Sequence, residues 1–228
     1  PGHGDTAEDS HYTLPAVHHD RARLDSVELL PFKRYIYDGY AGVMTGHLYV
    51  PALDKARNKP VSMSRAVVTD LLQKELGFRG LCFTDALAMK GATTRKSDNP
   101  SVMALLAGND ILLAPTAPIN DFAAVKEALE EGILDREEIE VKIIKILQYK
   151  YIAGLNDYRP VETKGLSERL NSPHAAWLAA KLNEEAITLL KNEGDIIPLK
   201  QLDKKKIAAL SIGDGVGNEF QKMLGRYD

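Results

Sequence analysis

The sequence predicts an α/β protein in which parallel strands are covered by helices. Two observations lead there. Short apolar runs are apolar on every residue, as strands buried on both faces are, not alternating as half-solvated strands would be. Between them lie longer segments with apolar residues at helical spacing. A third observation points to the functional face: the apolar runs close on polar, chemistry-bearing residues. Repeated βα units fit either a doubly wound sheet or a (β/α)8 barrel. Three strands are readable, and a fourth is expected before Pro1, which amounts to half of an eight-stranded barrel.

In chain order, Arg21 to Asp38 reads as a helix with Leu24, Val27, Leu30 and Ile36 on one side. Ala41 to Gly46 reads as a buried strand ending at His47. Ser64 to Leu76 is the next helix: Ser64 is placed to cap it, Val67, Val68, Leu71 and Leu72 form its apolar face, and Gly77 ends it. Gly80 to Asp85 is a second strand, apolar until Thr84 and Asp85. Pro100 to Ala107 is a short helix and Asp110 to Ala114 a third strand. Asp121 to Glu131 and Glu137 to Tyr151 complete the helices of a first domain, residues 1–154. Residues 155–170, polar and broken by Pro160 and Gly165, read as a linker. Residues 171–228 read as the start of a second α/β domain, with a helix over Asn171 to Asn192 and a strand over Lys206 to Ile212. The loop Gly213-Asp214-Gly215-Val216-Gly217 lacks the spacing of a phosphate-cradling motif and reads as a strand-ending turn.

Composition narrows the function. A net charge of −3 over 228 residues offers no basic footprint, so nucleic acid is not an expected partner. No apolar run reaches the length of a membrane span. Cys82 is the only cysteine, which forbids an intrachain disulfide, and it reads as a small core filler. The compartment stays open between export and cytoplasm.

Three strand-end positions carry candidate chemistry. The first is the opening loop Pro1-Gly2-His3-Gly4-Asp5-Thr6-Ala7-Glu8-Asp9-Ser10-His11. A carboxylate two residues before an imidazole can hold one ring nitrogen, fix the tautomer, favour the protonated ring and leave the other nitrogen for proton transfer. His47 and Asp85 are the other two. On the residues alone each keeps a plainer reading: Asp9/His11 as a loop-tightening contact, His47 as a satisfied core imidazole, Asp85 as a cap on the next turn. His3, Asp5, Asp9 and His11 match no metal-ligand spacing, so no metal is expected. No cofactor is expected either. A chain that opens inside such a loop is expected to be a piece of a longer protein.

The ordered set of motifs resembles glycoside hydrolase family 3, in its β-N-acetylglucosaminidase branch. The segments that carry the resemblance are Pro1 to His11, Val43 to His47 with Pro51-Ala52-Leu53-Asp54, and Pro60 to Ser64. They continue in Glu75 to Gly80, Phe83 to Met89, Ala107 to Leu113, and Ala186 to Asn192 with Ile197-Pro198-Leu199. The resemblance implies the C-terminal half of a (β/α)8 barrel, entered at the end of its fifth strand. It also implies a retaining hydrolase of terminal β-linked N-acetylglucosamine. In that reading Asp85 is the nucleophile, His11 the acid/base and Asp9 its partner, with His3, His47 and Met89 against the sugar. The family's residues just before this Pro-Gly, and the first half of the barrel, are absent. The implied partners are a carbohydrate and either the missing half-barrel or a second copy. β-Glucosidase or β-xylosidase activity is disfavoured, because those members usually draw a carboxylate acid/base from the second domain. A non-catalytic sugar-binding fragment is the remaining alternative.

Overall fold

In the computed structural model, which describes residues 1–92, 98–213 and 215–227, the chain divides into two compact units, Pro1–Tyr158 and Arg159–Asp228. The division falls within Leu155 to Leu170, a stretch expected to be an irregular linker that in fact holds a 3-10 turn (Leu155–Asp157) and a short helix (Leu166–Leu170). The first unit is α/β with helices dominant.

Its sheet is parallel. β1 (Gly42–Thr45) pairs with β2 (Leu81–Thr84), with Gly42 opposite Leu81 and Thr45 opposite Thr84. Both strands therefore end on the same side. Upstream, Ala16 and Tyr49 form a single parallel bridge. The expected third strand, Asp110 to Ala114, is not a full strand. It runs beside β2 with one bridge, Phe83 to Ile111. Side chains take over rungs that a backbone ladder would supply. The Cys82 N–H donates to Asp110 Oδ2 (2.8 Å), and the Leu113 N–H to Thr84 Oγ1 (2.9 Å).

The helices show which sequence signals mattered. The stretch Arg21 to Asp38 is not one α-helix. It is α1 (Arg21–Arg23), a π-helical turn (Leu24–Glu28) and α2 (Leu30–Tyr37). Pro31 has no N–H to offer the preceding turn, so the helix restarts around it. Ala66–Glu75 is also π-wound, with the Leu76 N–H reaching back five residues to the Leu71 carbonyl (2.8 Å). That winding brings residues four and five apart onto one line, and Val67, Val68, Leu71 and Leu72 are all buried. Ser64 does not cap it; its hydroxyl donates to Asp54 Oδ2 instead (2.6 Å). Gly77 ends the helix at φ +75°, a conformation that costs glycine little. α3 (Pro100–Ala107) has Asn99 Oδ1 on the Ser101 and Val102 N–H groups and Gly108 at its end. α4 (Pro118–Glu130) and α5 (Arg136–Ile152) follow, the latter capped by Asp135.

Between sheet and helices, Val43, Val68, Leu72, Phe78, Cys82 and Ala107 form one apolar cluster. Val17, Leu24, Leu48, Val50, Val61 and Leu71 belong to a second. Lys145 from α5 pairs with the buried Asp110 carboxylate (2.8 Å), tying that helix to the third segment.

The second unit holds α6 (Leu166–Leu170), α7 (Pro173–Ala186) and α8 (Glu219–Leu224). α7 starts as the sequence suggests, with Ser172 capping the Ala175 N–H and Pro173 first in the helix, but stops at Ala186, short of Asn192. Lys206 to Ile212 is not a strand, because no described strand of this unit lies beside it to supply a ladder. Asp214 of the glycine loop lies outside the described residues. None of the unit's described residues is buried.

A fully buried polar side chain, Asn109, joins three segments. Its Oδ1 accepts from Thr45 Oγ1 (2.8 Å), and its Nδ2 donates to the Ser62 (2.7 Å) and Ala104 (2.8 Å) carbonyls. Asn109→Ala leaves the Ser62 carbonyl without its donor, while the Thr45 hydroxyl keeps the Phe83 carbonyl and the Ala104 carbonyl keeps the Asn109 backbone N–H, and should cost about 1–3 kcal/mol. Urea unfolding followed by circular dichroism measures this. A change below about 0.5 kcal/mol would mean the three bonds carry no net stability.

Candidate active site

The parallel ends of β1 and β2 deliver Asp85 to its place. The Asp85 N–H donates to the Thr45 carbonyl (2.9 Å), so the chain leaves β2 alongside Gly46. Asp85 Oδ1 accepts the Ala86 N–H (2.8 Å), which fixes the side chain at the start of its loop. Asp85 lines a cavity of ≈ 180 Å³ together with His3, Thr45 and Gly46. The wall behind them is apolar, with Leu48, Leu71 and Leu72 among its residues.

The loop of Asp9 and His11 is a tight turn. Asp9 Oδ1 accepts the His11 backbone N–H (2.9 Å) and lies 2.7 Å from His11 Nδ1. The Tyr12 and Thr13 N–H groups both donate to the Asp9 carbonyl. The backbone N–H of His11, then its ring, hold the Asp9 carboxyl below the usual carboxylate range. An ionised Asp9 accepts, so Nδ1 carries the proton. Nε2 points away from that bond. Both side chains are mostly exposed, 69% and 57%.

Two backbone bonds join this turn to the loop that follows Asp85. The Lys90 N–H donates to the His11 carbonyl (3.4 Å) and the Gly91 N–H to the Ser10 carbonyl (3.1 Å). Gly91 is what allows that approach: a Cβ there would fall 2.8 Å from both the Ser10 and Thr13 carbonyl oxygens. His3 is the third tie. Its Nε2 is 2.7 Å from Ser10 Oγ, and its ring packs against Gly46, where a Cβ would come within 3.3 Å of it. The loops of His3, His11 and Asp85 thus meet at the C-terminal ends of the strands, the side on which α/β enzymes carry their sites.

His47 does not face this opening. It is fully buried, with Nδ1 2.8 Å from Ser62 Oγ and Nε2 3.1 Å from the Ala86 carbonyl. A carbonyl only accepts, so Nε2 carries the proton and Nδ1 accepts from Ser62. Burial lowers its pKa, partly opposed by the Ala86 carbonyl and the charge of Asp85. With both nitrogens engaged and no exposed surface, His47 braces the backbone one residue beyond Asp85 instead of offering a face to a sugar. Met89 is half-buried and its N–H donates to the Ala86 carbonyl (3.0 Å), closing the same loop. Sequence reasoning missed Ser10, Ser62 and Asn109. Ser10 stood between the two dyad residues, and Asn109 was a polar residue abutting an apolar run; both were visible signals.

The Asp9–His11 pair and Asp85 thus lie on joined loops at the same ends of two parallel strands in an α/β frame. Residues 1–149 match the glycosyl hydrolase family 3 N-terminal domain. The chain belongs to glycosyl hydrolase family 3. It is 33% identical to β-hexosaminidase A of Pseudoalteromonas piscicida, across 94% of this chain and 38% of that protein. The solved structure of a family 3 β-N-acetylglucosaminidase from Paenibacillus sp. FPU-7 superposes with a TM-score of 0.75 and 34% identity, over 85% of this chain and 37% of the other. A β-glucoside phosphorylase superposes with a TM-score of 0.80 at 25% identity, over 87% of this chain and 38% of the other. The chain spans under two-fifths of the length of each of these proteins.

The placement of His47 has a consequence for stability. A histidine whose pKa is lower folded than unfolded binds its proton more readily in the unfolded chain. Stability from this group is then full above the ordinary histidine value of about 6.5 and is lost as pH falls toward the folded value. The urea midpoint should drop between pH 7.5 and pH 5.5. His47→Gln should lower the midpoint at pH 7.5 and flatten that slope; an unchanged slope would place the pH dependence elsewhere.

Proposed function

We propose that this chain is the C-terminal half of a family 3 glycosidase barrel, residues 1–154. A linker, residues 155–170, would join it to the start of a second α/β domain, residues 171–228. In the complete barrel it would serve a retaining hydrolase that releases terminal β-linked N-acetylglucosamine. The observation that carries the reading is the Asp9–His11 pair with its outward Nε2, joined by two backbone bonds to the loop that follows Asp85. Retention needs a carboxylate on one face of the sugar and a proton donor on the other. Asp85 attacks the anomeric carbon as the glycosidic C–O bond breaks, and forms a glycosyl ester. His11 passes its Nε2 proton to the leaving oxygen. It then takes a proton from water, whose oxygen attacks the same carbon and releases Asp85. Asp9 holds Nδ1–H and stabilises the charged ring. His3 and Met89 lie beside the sugar, while His47 acts as a positioning residue through the Ala86 carbonyl.

A second acceptor is worth testing, because the superposed β-glucoside phosphorylase shares this frame. An imidazole repels an incoming phosphate less than a second carboxylate would. Phosphate oxygen in place of water would give a sugar 1-phosphate from the same ester.

The natural partner of the half-barrel is the missing half or a second copy. Alone, the chain should show no measurable turnover, and a cooperatively melting monomer with turnover would overturn the half-barrel reading.

In the protein with its barrel complete, Asp85→Ala should lose roughly a thousandfold or more in rate. Peptide mapping after trapping with a fluorinated N-acetylglucosaminide should find the label on Asp85; a label on any other residue rejects the assignment. His11→Ala should slow substrates with poor leaving groups far more than activated aryl glycosides, and azide should rescue the second step. Equal slowing of all leaving groups would remove His11 from the acid/base role. Product analysis with and without added phosphate separates hydrolysis from phosphorolysis.

A further inference from the structure

We propose that Asp5, His19 and Glu28 form a binding site for one divalent transition-metal ion of the zinc class. The three come from different segments: the turn that follows His3, the residues before α1, and the π-helical turn after it. One ligand atom from each lies within 4.8 Å of the other two. His19 Nε2 contacts Asp5 Oδ2 directly.

Glu28 is the independent sign that a cation belongs here. Its side chain is only 9% exposed. Oε1 accepts from Arg23 Nε (3.1 Å), but Oε2 is buried and has no hydrogen-bond partner. An ionised carboxylate oxygen left in the interior without a donor is costly, and a cation relieves that cost. Arg23 bonds Glu28 through Nε, the Pro1 amine also feels the Glu28 charge, and the second Arg23 nitrogen stays 4.0 Å from Asp5, beyond hydrogen-bonding reach. One imidazole and two carboxylates are the donor types of a three-ligand zinc set, whose fourth position water would take. The site is separate from Asp9 and His11, which take no part in the cluster. An ion there would clamp the Asp5 turn to the helical segment and so steady His3, two residues away.

Imidazole proton–nitrogen NMR of the whole chain, titrated with zinc chloride, tests this without reference to activity. One equivalent should shift the His19 resonances and leave those of His11 unmoved. Calorimetry should give a single site, which His19→Gln and Glu28→Gln each weaken at least tenfold, while Asp9→Asn leaves it unchanged. Cobalt should give the visible bands of a four-coordinate nitrogen/oxygen site, lost in the same two variants. Shifts at His11 or His3 in place of His19 would put zinc on the dyad and overturn the proposal. So would wild-type affinity in both variants, or no uptake at millimolar zinc. The NMR result stands on the unaltered chain, so it decides even if a variant fails to fold.

Discussion

A buried, uncharged hydrogen-bond chain holds the functional end of this fold. Asn109 grips the hydroxyl of Thr45 at the end of β1 and the carbonyl of Ser62. Ser62 in turn donates to His47, and His47 donates to the Ala86 carbonyl next to Asp85. Each member satisfies the next, and none leaves its polar atoms bare. A network of this kind is costly when half-made and rigid when complete. It fixes the direction in which the chain leaves β2, and Asp85 inherits that direction. A charge in the same place would carry a desolvation penalty that the neutral imidazole avoids.

The exposed dyad depends on this base. Asp9 and His11 sit on a surface turn, where an isolated ion pair in water is worth little. Their geometry is set instead by backbone. The Asp9 carboxylate accepts the N–H two residues on, and the turn is sewn to the Asp85 loop at Lys90 and Gly91. Gly91 admits no side chain because two carbonyl oxygens and His47 Cβ already occupy the space. A polar loop is thus seated on a hydrogen-bonded base, the preorganisation that the proposed catalysis would require.

Much of this was legible in the residues, and the failures have physical causes. The helix Pro100–Ala107 could be read because its cap, its first-turn proline and its terminal glycine are local signals. β1 and β2 could be read from unbroken apolar runs. The third strand was over-read, because Asp110 and Thr84 use side chains to satisfy amides that the apolar pattern assigns to a ladder. The helix over Arg21 to Asp38 was over-read as continuous, since apolar spacing does not register the amide that Pro31 lacks. Asp9 and His11 were legible as a pair because their contact is local. The role of His47 was not, since its partners Ser62 and Ala86 are 15 and 39 residues away.

The same reasoning explains the exposed apolar surface. A strand that is apolar at every position is suited to cover on both faces. β1 has Val43 and Thr45 buried against the helices, yet Met44, on the opposite face, is 58% exposed. The second unit goes further: Leu190, Ile212 and Val216 are almost wholly exposed, and none of its described residues is buried. Apolar area left in water forfeits about 25 cal/mol per Å², and a native chain rarely leaves so much of it uncovered. The uncovered face of β1 is the one that would look into a barrel interior, where layers of side chains from the other strands would meet it. That mismatch between what the strands are built to bury and what is buried here is the physical argument for the half-barrel reading. It is independent of any likeness to known proteins.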